Sequence, residues 1–149
     1  MNRDDILKAI PHREPFLFID EVVACDDRHI HCRRTFRADE FFYRGHYPRY
    51  PLTPGVLLCE SGMQAGAILL SRHAAGAQGV PVATRIGDVR FKRMVLPGET
   101  IDIEVELVER LADAFYLKAK ITCQGKVAAR FEFACAMASE EPAANTAPS

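Results

Sequence analysis

The stretch that decides the fold is GVLLCESGMQAGAILLSRHAAG, residues 55–76. Its strong helix formers and small residues, with no proline before Pro81, predict one long helix. This helix is apolar on nearly all sides, so it must be covered either by a sheet that curls around it or by a partner chain. Gly62 and Gly66 would let the covering element approach closely.

The segments on either side of this helix have the apolar alternation of half-buried strands. Two predicted strands precede it, at residues 16–23 and 28–37, and Arg34 breaks the alternation of the second. Four follow in antiparallel succession, at residues 82–94, 100–109, 114–122 and 127–137. A short helix with Asp4 and Asp5 in its first turn and Pro11 at its end comes before them all. The order predicts an α+β fold, an antiparallel sheet wrapped around one long central helix.

Length and charge limit the possible classes of protein. The 149 residues, 48% of them hydrophobic, suit one domain, which we place at residues 1–138, followed by a small, polar tail at 139–149 that we expect to be disordered. A net charge of -1 argues against nucleic-acid binding by bulk electrostatics. The most apolar stretch, residues 56–70, is too short for a membrane span and contains Glu60 and Gln64.

The N-terminus predicts a cytoplasmic protein, and the cysteines predict free thiols. MNRDDILKAI places two acids where a signal peptide needs a basic start, and no apolar signal core follows. The five cysteines are odd in number and contain no C-x-x-C pair, so they indicate reduced thiols rather than a disulfide framework or a zinc cluster.

A proline-rich loop before the helix presents His46. Residues 42–55 contain three prolines and two glycines, which favour a shaped, fairly rigid loop. An imidazole held partly exposed there can titrate near neutral pH and act as a general base. The alternative is a solvated or turn-stabilising histidine.

Glu60 is the only charged residue between Arg49 and Arg72 and lies in the middle of the apolar helix. Burial would raise its pKa and make it a candidate general acid or a group that orients water. Alternatively, it reaches the surface or pairs with an arginine. Gln64, four residues on, shares its face and would either line a pocket or satisfy a buried backbone group.

The start of the helix offers hydrogen-bond donors. Thr53 is a possible N-cap and Pro54 suits the first turn, which would leave free N–H groups near Gly55 and Val56. Such groups can hold a developing oxyanion.

These residues also carry a family resemblance. GHYPRYPLTPGVLLCESGMQ, residues 45–64, resembles the G-H-F-P-x-x-P-x-x-P-G-V-L-x-x-E-x-x-x-Q signature of the FabZ-type (3R)-hydroxyacyl-[acyl carrier protein] dehydratases. The likeness continues in IPHREPFLFIDEV, residues 10–22, and in RFKRMVLPGETIDIEVEL, residues 90–107, and covers roughly residues 5–137.

The resemblance implies the hot-dog fold and conversion of (3R)-3-hydroxyacyl-[acyl carrier protein] to the trans-2-enoyl product, with no cofactor. His46 would be the catalytic histidine and Glu60 its partner carboxylate. Gly55, with Val56, would polarise the thioester carbonyl, and Gln64 would support the glutamate or its water. Whether His46 performs both proton transfers stays open.

The resemblance also implies partners. The family forms homodimers, often assembled as trimers of dimers, whose active site combines the histidine of one chain with the glutamate of the other. The substrate arrives on an acidic acyl carrier protein, so we expect a basic rim beside the site; its candidates are Arg90, Lys92 and Arg93, or Arg33, Arg34 and Arg37.

Alternatives and departures from the signature remain. The FabA-type branch has aspartate in place of this glutamate and also isomerises the double bond, so Glu60 favours plain dehydration. Tyr47, Arg49-Tyr50 and Leu52-Thr53 depart from the usual loop residues and could change which acyl chains fit. A hot-dog acyl thioesterase and a catalytically silent acyl-binding module are the competing hypotheses.

Overall fold

The computed structural model describes residues 1–73 and 79–138, so the predicted tail at 139–149 lies outside the described residues. Two α-helices, one 3-10 helix and six strands follow in this order: α1 Arg3–Ala9, β1 Glu21–Cys25, β2 His29–Thr35, the 3-10 helix Phe41–Arg44, α2 Gly55–Ser71, β3 Val80–Phe91, β4 Thr100–Leu111, β5 Ala114–Cys123 and β6 Lys126–Ala138. Within this described part, no helix is long and apolar enough to cross a membrane.

The six strands form one antiparallel sheet in the order β1-β2-β4-β5-β6-β3. The last four strands were predicted to pair in succession, and this is correct for β4, β5 and β6 only. One edge of β4 pairs with β2 and the other with β5, so neither is available to β3. β3 therefore pairs with β6 at the far edge of the sheet. Gln124 and Gly125 both have positive φ in the β5–β6 turn, as a two-residue hairpin of type I′ requires.

The sheet wraps around α2, which confirms the predicted α+β class and the hot-dog arrangement. Alternate residues of β4 point at the helix and are buried, as their period of two predicted; they are Ile101, Ile103, Val105 and Leu107. The helix backbone lies close to β6, because a Cβ at Gly62 would be 2.6 Å from Phe131 Cζ and one at Gly66 2.6 Å from Phe133 Cζ.

Gly62→Ala tests this close contact. Alanine is favoured over glycine in a helix by about 1 kcal/mol, but its methyl group would overlap the buried Phe131 ring. We expect overpacking to dominate and the free energy of unfolding to fall by about 1–2 kcal/mol, measured by urea denaturation. Gly87→Ala, where a Cβ would meet nothing within 4 Å, is the control. A Gly62→Ala protein as stable as the original chain would contradict the packing.

The first strand starts later than predicted, at Glu21 rather than residue 16. The backbone of the preceding segment is bound by a side chain of α2: Gln64 donates through Nε2 to the carbonyl of Phe16 at 2.8 Å and accepts the N–H of Phe18 at 2.8 Å. These buried groups are therefore satisfied without a strand partner, while Leu17 and Ile19 join the core.

Arg34 does not break the alternation of β2 but continues it as a buried cation. Its side chain is 3% exposed, and its guanidinium binds Asp20 Oδ1 at 3.2 Å and Glu40 Oε2. The ring centroids of Phe18 and Phe36 lie 5.4 and 5.3 Å from Cζ of Arg34. The pattern appeared broken because an arginine can occupy an inward position when its charge is paired there.

Candidate active site

The loop that carries His46 is fixed at both ends. It follows the 3-10 helix, where the hydroxyl of Tyr43 lies 2.6 Å from that of Thr53. The backbone N–H of Thr53 donates to Val95 O at 2.8 Å, which ties the end of the loop to the segment after β3. A loop held in this way can present a side chain in one orientation.

One hydrogen bond sets the tautomer of His46. Its Nδ1 is 2.9 Å from the carbonyl oxygen of Leu52, and a carbonyl can only accept, so Nδ1 carries the hydrogen. In the neutral ring the lone pair is therefore on Nε2, the nitrogen on the other side of the ring. His46 is partly buried, and the ring of Tyr47 contacts it edge-on with 4.8 Å between centroids.

The start of α2 differs in one respect from the prediction. The N-cap is Pro54 rather than Thr53, because the Thr53 hydroxyl is engaged with Tyr43 and makes no cap. The N–H groups of Gly55 and Val56 have no acceptor among the described residues, as expected for the first turn of a helix. They are positioned to bind an anionic oxygen, and the helix dipole adds positive potential there.

Glu60 lies on the side of α2 that the sheet leaves open. Val56, one turn earlier, is 70% exposed, and Met63, three residues later, is only partly buried. The Glu60 side chain is 22% exposed, so it reaches the surface of this open face without being fully solvated. The sequence alternative of a glutamate that reaches the surface is thus partly correct, although its partner is not an arginine.

Two side chains contact one oxygen of the Glu60 carboxylate. Gln64 donates from Nε2 to Oε2 at 3.0 Å, and His12 Nε2 lies 3.7 Å from the same oxygen. Gln64 is fully buried, with its amide shared between Glu60 and the backbone of the segment before β1. It therefore satisfies buried backbone groups, the second of the two roles considered for it, and holds Glu60 as well.

His12 is the site residue that the sequence analysis missed. It stands in the IPHREP stretch that contributed to the family resemblance, but no periodicity linked it to α2. Its proximity to Glu60 arises from the fold, which brings two segments 48 residues apart into contact.

His46 and Glu60 are not joined within one chain: no hydrogen bond or ion pair links them in residues 1–73 and 79–138. The edge strand β3, which contacts α2, exposes apolar side chains, among them Ile86, Val89 and Phe91. Phe91 also packs against the first turn of α2, where a Cβ at Gly55 would lie 2.7 Å from its ring. An unpaired strand edge with exposed apolar groups is a surface suited to a second chain.

The structure sorts the candidate basic residues. Lys92 and Arg37 are exposed. Arg90 and Arg33 are exposed but bound to carboxylates, Arg90 to Asp88 at 3.3 Å and Arg33 to Asp102 at 3.0 Å. Arg93 is turned toward Glu99 and Gln124. Arg34 is wrong as a candidate for the rim, because its buried guanidinium is committed to Asp20 and Glu40.

Cys59, beside Glu60, is not a nucleophile in this geometry. Burial raises the pKa of its thiol to about 11, so almost none of it is thiolate at neutral pH. All five cysteines are free.

Comparison with known proteins identifies the family of this chain. A family model described as a FabA-like domain matches residues 10–132, which include the His46 loop and all of α2. The chain belongs to the FabA-like family.

Relatives of this FabA-like chain include proteins named 3-hydroxyacyl-[acyl-carrier-protein] dehydratase FabZ. The protein of Clostridium perfringens strain SM101 is 38% identical over 128 residues, which are 86% of this chain and 92% of the relative. That of Pseudothermotoga lettingae is 39% identical over 130 residues, 87% of this chain and 91% of the relative.

Solved structures share the fold of this FabA-like chain. The dehydratase heterocomplex ApeI:P of Xenorhabdus doucetiae superposes with a TM-score of 0.75 at 20% identity, over 91% of each chain. The E. coli PaaI protein of the phenylacetic acid degradation operon has a TM-score of 0.64 at 15% identity, over 78% of this chain and 81% of that one. At these identities the likeness concerns the fold alone.

Proposed function

We propose that this protein dehydrates (3R)-3-hydroxyacyl-[acyl carrier protein] to the trans-2-enoyl thioester in fatty-acid or related acyl-chain biosynthesis, as a single domain of residues 1–138. Membership of the family and the names of its relatives support the reaction. The observation that carries the proposal is the first turn and a half of α2, where free N–H groups at Gly55 and Val56 precede a carboxylate on the open face.

Proton removal from C2 is the first part of the reaction. The thioester carbonyl would accept hydrogen bonds from Gly55 and Val56, which stabilise the enolate character that develops as the proton leaves. His46 would take this proton on Nε2, since its Nδ1–H is directed to Leu52 O. The resulting imidazolium keeps that hydrogen bond, so the ring need not turn during the step.

Departure of the C3 hydroxyl completes the reaction. The electron pair of the broken C2–H bond forms the C2–C3 double bond, the C3–O bond breaks, and the hydroxyl leaves as water with a proton from Glu60. After the reaction His46 is protonated and Glu60 is ionised. Proton transfer through solvent from His46 to Glu60 would return both side chains to their starting states. Gln64 would hold the carboxylate in place through its 3.0 Å hydrogen bond.

The proposed site is shared between two protomers. Glu60 lies on the open face of α2 and makes no hydrogen bond or ion pair with His46 of its own chain within the described residues. Pairing of two β3 edges would continue the sheet across a homodimer and cover the exposed apolar groups there. It would also bring the open face of each helix toward the second chain, with a trimer of dimers as the larger assembly.

The proposed carrier of the substrate is an acyl carrier protein. Such carriers are acidic, and the exposed cations Arg90 and Lys92 flank Phe91, whose ring packs against the first turn of α2. The five unpaired cysteines suit a reducing compartment, and we place the reaction in the cytoplasm as part of this proposal.

The test is to incubate purified protein with 3-hydroxyacyl-[acyl carrier protein] over a series of chain lengths. We expect a trans-2-enoyl product, followed by mass spectrometry as loss of one water. Release of free thiol without an enoyl species would show a thioesterase instead, and binding without turnover at every chain length would show a silent acyl-binding module.

A further inference from the structure

The segment that carries His12 is held by its neighbour. The guanidinium of Arg13 donates to three backbone carbonyls, those of Leu7 at 2.9 Å, Ile10 at 2.8 Å and His12 at 2.7 Å. The chain after α1 is thereby closed into a compact turn against the helix. The imidazole of His12 is therefore presented to Glu60 from a fixed backbone.

Burial identifies which nitrogen of His12 carries its hydrogen. Nδ1 is inaccessible and has no hydrogen-bond partner in the described part of the chain. An N–H at this position would be buried without an acceptor, which costs more than an unused lone pair. In the neutral ring the hydrogen is therefore on Nε2, and Nε2 is the nitrogen that faces Glu60.

Both neighbours of the carboxylate therefore direct N–H groups at the same oxygen. The Gln64 amide reaches Oε2 at 3.0 Å, and His12 Nε2 is 3.7 Å from it, where its N–H acts as a dipole rather than as a formed hydrogen bond. Two donors on Oε2 disfavour a proton there. A proton bound by this carboxyl group is consequently on Oε1.

We propose that His12 is a positioning residue: as a donor through Nε2 it directs Glu60 Oε2 inward, so that the acidic proton is on Oε1 and faces the leaving hydroxyl. The inference rests on the proposed dehydration. It adds to Gln64 a second donor, supplied by the loop after α1, that fixes which oxygen of Glu60 reacts.

Two substitutions at His12 test whether its N–H group is needed or only its volume. His12→Gln can place an amide N–H near the position of Nε2, whereas His12→Leu fills the space without a donor. We expect kcat to fall by about tenfold or more in His12→Leu, with KM changed by less than about twofold, and to stay within about threefold of the original in His12→Gln. In a Glu60→Gln background, His12→Leu should cost no further activity.

Controls distinguish folding from chemistry. His29→Leu changes an exposed histidine on β2 and should leave kcat unaltered. Should His12→Leu fold poorly by circular dichroism, His12→Asn provides a shorter polar side chain whose amide reaches the position of Nδ1 but not that of Nε2; it should be as slow as expected for leucine.

Equal activity of the leucine and glutamine variants, high or low, would overturn the role of His12 as a donor while leaving the dehydratase intact. An original chain that forms no enoyl product would instead overturn the proposed function and the role of His12 with it.

Discussion

Replacing His46 with alanine is expected to lower kcat for dehydration by about a thousandfold or more while the protein stays folded. No other base is positioned by the loop, and the Nε2 lone pair is the group that the proposed reaction uses. The side chain is only partly buried and makes one hydrogen bond, so its loss should cost little stability. The measurement is single-turnover formation of the enoyl thioester, with thermal unfolding as the check of the fold.

His46→Asn is the matched variant. An asparagine amide can take the place of Nδ1–H and donate to Leu52 O, so the loop keeps its hydrogen bond while the base is lost. It should be as inactive as alanine. Activity within about tenfold of the original chain in either variant would exclude His46 as the base.

Mixing two inactive variants should restore activity. In a twofold dimer with shared sites, a heterodimer of His46→Ala and Glu60→Ala chains has one site with both changes and one site with neither. Random exchange makes half of the dimers heterodimers, so we expect about a quarter of the original activity. The assay is enoyl formation before and after exchange, with exchange itself verified by native mass spectrometry of tagged chains.

A mixture of His46→Ala with His46→Asn chains is the control, because no combination of these chains regenerates a complete site. Exchange without recovery in the first mixture would place His46 and Glu60 of the same chain in one site. Recovery in the control would show that the loss in the single variants came from instability.

The periodic elements could be predicted from sequence because their signals are local. The alternation of residues 101–107 predicted which side of β4 is buried, and the composition of residues 55–71 predicted the central helix. The His46 loop was found in the same way, since proline and glycine act on their own backbone. The place of β3 was not evident, because strand order depends on which edge of β4 is already paired.

The rest depended on contacts distant in sequence. Residues 16–20 have the composition of a strand, but the amide of Gln64 satisfies their backbone instead. Arg34 looked like an interruption, because its acidic partners Asp20 and Glu40 cannot be assigned to it from spacing alone. His12 stayed unassigned for a similar reason: one imidazole near the N-terminus carries no local sign that it meets a glutamate.

Gln64 makes the architecture and the chemistry of this protein inseparable. The same amide that anchors the chain ahead of β1 also holds the Glu60 carboxylate. A replacement of Gln64 would remove the hydrogen bonds to the N-terminal segment and the hydrogen bond to Glu60 in a single event, so neither can be adjusted alone.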